Sequence, residues 1–392
     1  MLRRTFLLGC GSLPLAAAVG PTPAAPQSSA YSLGASPEGD VYLTWIETED
    51  DKHTLRLSRL EGNAWTPAKT IATGGDDWFI NWADHPVVSA GPAGRLMASW
   101  PYRPAGAMGS KWGLATRVMF SADRGRTWDK VCDLGADNTA DYSGFLGFSA
   151  DSDGFRAAYL SPLADGAHQH GEGHVKTLRF ADFSLDGKLL RDELVDSDVC
   201  TCCPLSTAQT AAGPIVVYRD HEEDEIRDIS VVRRVDDGWT EPKPVYRDGW
   251  EINGCPVNGA AVQAAGERAA VAWFTAAGGM GRVKLALSDD AGATFGEPIP
   301  IDEGSPAGWA AAALLDDGRT AVAWVERREN AGEGAVLLRF VGRGGKPDKA
   351  RLIAATSSGR STGVLQMVRS GDRLVIAWRQ DEQVQTTLVG TR

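Results

Sequence analysis

The sequence predicts an all-β chain folded as a β-propeller of four-stranded blades, seven of them, with six as the alternative. Three observations carry this. Seven short apolar runs end on an aromatic: Trp45, Trp100, Tyr159, Tyr218, Trp273, Trp324 and Trp378. Successive aromatics stand 55, 59, 59, 55, 51 and 54 residues apart. A glycine precedes each by five to seven residues: Gly39, Gly94, Gly154, Gly213, Gly266, Gly318 and Gly371. A period near fifty with one strand-like run per period is the signature of a radially repeated sheet.

The runs are short and show no sustained 3.6-residue period, so they read as strands. Within the fifth repeat four strands are expected, at 259–264, 269–274, 282–288 and 298–301. Radial closure would protect their edges. The last repeat stops soon after its third strand, so the seventh blade is either incomplete or completed from the N-terminal segment.

Residues 1–29 read as an export signal and linker, and residues 30–392 as the propeller. Arg3-Arg4-Thr5-Phe6-Leu7-Leu8 opens an apolar run to Val19, the pattern of a Tat-like signal, with a Sec signal as the alternative. Cys10, after Leu7-Leu8-Gly9, also raises lipidation, although the apolar stretch before it is short. No later apolar run approaches the ~18 residues needed to span a bilayer. The expected location is therefore periplasmic or secreted. A net charge of −11 argues against nucleic acid as a partner.

Two turns share the pattern Ser-x-Asp-x-Gly-x-Thr-aromatic. One holds Ser121, Asp123, Gly125 and Trp128; the other holds Ser288, Asp290, Gly292 and Phe295. Both fall between the third and fourth strands of a repeat. The carboxylate is expected to accept bonds from its own turn, glycine to supply a positive φ, and the aromatic to pack between blades. The motifs resemble the Asp-box (BNR) repeat, and over most of its mature length the chain resembles the sialidase (neuraminidase) superfamily.

That resemblance implies an arginine triad, a tyrosine nucleophile paired with glutamate, and an aspartate acid/base. The family's Arg-Ile-Pro is absent; the first blade reads Trp45-Ile46-Glu47-Thr48 instead. Arginines stand at other strand exits, at Arg103, Arg219, Arg327 and Arg379. The catalytic candidates are Tyr218, Arg219, Asp220 and Arg379, with exo-α-sialidase or a related glycoside hydrolase as the implied activity.

The rarer residues fall on one face. With the four strands of each repeat lettered A to D in chain order, the B–C and D–A loops of a propeller share a face, and Cys200-Thr201-Cys202-Cys203 and Gly254-Cys255-Pro256 occupy successive D–A loops. His168, His170 and His174 occupy the B–C loop of the third repeat. Thiolate and imidazole suit copper(I) or zinc better than calcium or magnesium. The candidate metal ligands are thus Cys200, Cys202, Cys203, Cys255, His168, His170 and His174. The alternative use of the cysteines is disulfide bonding, natural outside the cytoplasm. Without Cys10 five cysteines remain, so at least one is unpaired within the chain. Trp78, Trp82, Trp250 and Trp309, at D–A junctions, could stack a sugar or pack between blades. The expected partner is a glycan or small ligand or a metal ion; a purely structural interaction module is the further alternative.

Overall fold

The computed structural model describes residues 21–107, 113–136, 141–162 and 176–392. The expected export signal falls almost wholly outside them, as do His168, His170 and His174. Seven antiparallel sheets follow one another along the chain. The count is therefore seven blades.

Each aromatic that marked the repeat sits in the second strand of its sheet, and all seven are buried. In the fifth blade the strands are Ala260–Ala265, Arg268–Thr275, Arg282–Ser288 and Ile299–Pro300, within two residues of the expected bounds. The apolar side chains sort into seven buried clusters, and each joins the facing sheets of two neighbouring blades. A blade buries little within itself. Its second strand is apolar on both faces because both faces meet a neighbour.

The ring closes by packing. Tyr31, Leu33, Leu43 and Trp45 of blade one share a cluster with Val375, Ala377, Val384 and Leu388 of blade seven. Trp65 Nε1 donates to Thr386 Oγ1 at 2.9 Å across the same seam. Blade seven has three hydrogen-bonded strands, Gln366–Ser370, Arg373–Gln380 and Gln383–Gly390. Beside them lies the segment before the first strand: Ala24 is buried in the closing cluster, and its carbonyl accepts from Gln383 Nε2 at 2.7 Å.

Both Ser-x-Asp-x-Gly-x-Thr turns are built as their chemistry suggests. Asp123 Oδ1 accepts from the backbone N–H of Arg126 and Thr127, and Oδ2 from the Thr127 hydroxyl. Asp290 accepts from Thr294 N–H and Oγ1–H in the same way. Gly125 and Gly292 have φ of 71° and 79°. Trp128 and Phe295 pack at the edges of the inter-blade clusters. These turns stand on the face away from the cysteines and hold structure.

The first strands of the blades line a central channel of about 680 Å³. At its loop-face mouth several first strands carry a bulge, with register shifts at Ser29/Ser32, Gly144/Gly147 and Gly308/Ala311. The bulge residues Ala30, Phe145 and Trp309 have positive φ, between 47° and 52°. Side chains from D–A loops hold two of them. Asp84 Oδ1 accepts from Phe145 N–H, and Asn258 Oδ1 from Trp309 N–H, both at 2.7 Å. Among the described residues no helix is long and apolar enough to cross a membrane.

Candidate functional site

Two D–A loops come together on this face. The loop after the long strand Leu189–Val199 carries Cys200, Cys202 and Cys203, and the loop before Ala260–Ala265 carries Cys255. Gly259 allows the approach, since a Cβ there would stand 1.8 Å from the carbonyl oxygen of Pro204. Cys202 and Cys255 form a disulfide between the loops of successive blades. Beneath it Cys200 and Cys203 are buried and unbridged, their sulfurs 3.6 Å apart. The Sγ atoms of Cys200, Cys202 and Cys203 all lie within 4.8 Å of one another. Cys132 stands apart, in the outer strand Asp129–Leu134 of blade two.

The surroundings favour negative charge at Cys200. The thiol of Cys203 donates to it, and this is the largest influence; the guanidinium groups of Arg219 and Arg227 add to it against the opposing effect of burial. The Cys200 thiol is lowered to about 6, and its partner Cys203 is pushed up by burial and by donating to Cys200. Arg227 is fixed in turn by Glu225, whose Oε2 accepts from its Nε at 3.1 Å and Nη2 at 2.5 Å. Glu225 lies 3.5 Å from His221 Nε2, and His221 Nδ1 meets Asp198 at 2.8 Å. Periodicity gives no sign of this series of contacts, two of whose members, His221 and Glu225, lie in the acidic stretch Asp220–Glu225.

The catalytic candidates take other places. Tyr218 is buried and donates its hydroxyl to Asp196 at 2.5 Å. Other marker aromatics end in the same way, Tyr159 on Asp192 and Trp273 on Asp248. Arg219 is 2% exposed and spends its guanidinium on the carbonyls of Asn258, Arg227 and Phe274 while stacking on Trp250. It ties blades four and five together and is turned away from any opening. Asp220 is also buried, which raises it to about 6. Buried and bonded in these ways, the candidates Tyr218, Arg219 and Asp220 are not presented together to a substrate.

Arg379 lies elsewhere, at the seam of blades seven and one. With Arg360, Asn81, Trp82, His85 and Tyr31 it lines a pocket of about 310 Å³ beside the channel mouth. Its Nε donates to Ser28 O and its Nη1 to Ser361 O. Arg360 stands over the Trp82 ring at 5.7 Å. Trp82 is half-buried and meets Trp309 edge-on, whereas Trp78, Trp250 and Trp309 are buried in the packing between blades.

No protein-family model matches the chain, and no curated protein matches it. Among solved structures it is similar to a Hadza microbial sialidase at 14% identity and a TM-score of 0.48, covering 76% of this chain and 63% of the sialidase. It is similar to the α-L-arabinofuranosidase Arb93A from Fusarium graminearum at 13% identity and a TM-score of 0.48, covering 93% of each chain. A leech intramolecular trans-sialidase is 11% identical, with a TM-score of 0.45, 93% of this chain and 68% of that one. The chain thus spans less than two thirds of the first of these. At such identities the likenesses say nothing about activity.

Proposed function

We propose that this chain is an exported propeller that binds a soft metal ion, copper(I) or zinc, on its loop face through Cys200, Cys203, Cys202 and Cys255. One observation carries the reading: three sulfurs from one loop lie within 4.8 Å of one another, and a fourth, Cys255 from the next loop, is bonded to one of them, Cys202. Four sulfurs around a tetrahedral zinc at ~2.3 Å stand ~3.8 Å apart, and Cys200 and Cys203 are already at 3.6 Å. Two guanidinium groups offset the charge of the thiolates. The disulfide holds two of the four ligands, so full coordination belongs to the reduced protein. The test is metal content by mass spectrometry on mature protein purified without chelator and kept reduced. Near-stoichiometric copper or zinc, lost in Cys200→Ser/Cys203→Ser, supports the reading; a metal-free reduced wild type rejects it.

A second reading rests on the seam pocket. Its lining carries two arginines and no carboxylate, although the whole chain has a net charge of −11. Two guanidinium groups, that of Arg360 over the Trp82 indole, suit a small acidic sugar or other hydroxylated acid. Calorimetry with glucuronate and with a sialoside, on wild type and Arg379→Gln, tests it: no heat with either ligand removes the glycan.

A further inference from the structure

The cysteines are layered, and the layering points to a use that needs no metal. Cys255 is solvent-exposed and Cys202 half-buried, so their disulfide forms the outer surface of the cluster. Cys200 and Cys203, spaced as Cys-x-x-Cys, lie beneath it as buried thiols. Of the outer pair, Cys202 Sγ lies within 4.8 Å of both inner sulfurs, so an inner sulfur needs little movement to reach it. A disulfide whose only task was to pin two loops would not require a buried dithiol against its inner side.

We propose that the four cysteines form a two-disulfide relay, in which the outer Cys202–Cys255 bridge and the inner Cys200/Cys203 dithiol exchange and carry two electrons between the buried pair and an external disulfide. The internal steps balance without any other reactant. The Cys200 thiolate attacks Cys202 Sγ; a Cys200–Cys202 bond forms, the Cys202–Cys255 bond breaks, and Cys255 leaves as a thiolate and takes up a proton from water. Cys203 loses its proton and attacks Cys200 Sγ; a Cys200–Cys203 bond forms and Cys202 leaves as a thiolate, which is then protonated. The inner pair has been oxidised and the outer pair reduced; the electrons balance within the four sulfurs, and, counted from the Cys200 thiolate, one proton is taken up from water.

The arrangement fits what thiol–disulfide exchange requires. Exchange requires a thiolate as the attacking group, and the fixed cation of Arg227, with Nη1 3.6 Å from Cys200 Sγ, stands where it would stabilise one. The departing Cys255 is the solvated sulfur, so its charge leaves into water. Once reduced, the outer pair presents Cys255 to solvent, where it attacks an external disulfide; Cys202 then displaces the mixed disulfide. Two electrons pass outward, the outer bridge is restored, and the external disulfide leaves as two thiols.

The experiment uses the mature full-length chain, fully reduced, stripped of metal with chelator, and oxidised with one equivalent of glutathione disulfide. Samples are acid-quenched over time, unfolded, alkylated and mapped by mass spectrometry. The relay expects Cys202–Cys255 to form first and Cys200–Cys203 to grow from it at constant total thiol. In Cys255→Ser, folded by its circular dichroism and melting curve, oxidation of the inner pair should slow at least tenfold. Two results overturn the proposal: Cys202–Cys255 as the sole pairing at all times, or an inner pair oxidised equally fast in Cys255→Ser. Because metal is absent throughout, either result leaves the metal measurement above standing on its own.

Discussion

Arg227 brings its Nη1 to 3.6 Å from the sulfur of Cys200, with its other two nitrogens bonded to Glu225. A fixed cation this close to a buried sulfur stabilises the thiolate, together with the Cys203 thiol and Arg219. In metal-free reduced protein, thiolate ultraviolet absorbance should therefore show one cysteine ionising near 6. Replacing Arg227 with Gln should move that midpoint upward, and Cys203→Ala should move it further, because the Cys203 hydrogen bond is the larger influence. An unchanged midpoint in both variants would show that neither group controls the thiol.

Tyr218 and Arg219 should behave as structural residues. Removing the Tyr218 hydroxyl in Tyr218→Phe leaves Asp196 without its donor and should cost about 1–2 kcal/mol. Arg219→Met strips donors from three buried carbonyls and should cost about 3 kcal/mol or more. Urea unfolding measures both. A Tyr218→Phe protein of wild-type stability that loses a measurable sialoside hydrolysis would return Tyr218 to the role of nucleophile.

The blades were legible in the sequence because the second strand of every sheet faces two neighbours and must be apolar throughout. Trp45, Trp273 and Trp324 are each fully buried and mark the period. The roles of single polar residues were not legible in the same way. Arg219 stands at a strand exit as Arg379 does, yet one is enclosed by Trp250 and Asn258 and the other lines a pocket. For Arg219 that enclosure comes from neighbours about thirty to forty residues away in sequence, which no local pattern records. The cysteines were readable as a group because the propeller places successive D–A loops side by side. Their layering was not, since it depends on how closely Gly259 lets one loop lie on the other.

That close approach gives a direct test of how the cluster is assembled. A methyl group at 259 would overlap the carbonyl of Pro204, a backbone atom with little freedom to yield. Gly259→Ala should push the Cys255 loop away from the Cys200–Cys203 loop and prevent the Cys202–Cys255 bridge. Thiol titration of the unfolded protein should then find two more free thiols than in wild type. A variant with the wild-type thiol count would show that the loops can meet by another path.

Asp84 and Asn258 hold equivalent places three blades apart, each accepting from the N–H of a first-strand bulge, Phe145 in one case and Trp309 in the other. Where one position uses a neutral amide, the other uses a carboxyl that is 5% exposed, with no ion pair among the described residues. Burial raises Asp84 to about 7, opposed by the Phe145 hydrogen bond. The sign of the stability effect follows. Between pH ~4 and ~7 the unfolded chain has released this proton while the folded chain keeps it, so folding loses stability as pH rises through that window. Above it the loss is complete. The interval from the ordinary 3.8 to about 7 sets an upper bound of roughly 4 kcal/mol on the loss. Asp84→Asn keeps the acceptor and removes the ionisation, as Asn258 already does. At pH 8 the variant should be the more stable protein in urea, by a margin that shrinks toward nothing near pH 4. Equal stability at pH 8 would mean that Asp84 ionises in the folded protein at little cost, with water or a cation at the channel mouth solvating it.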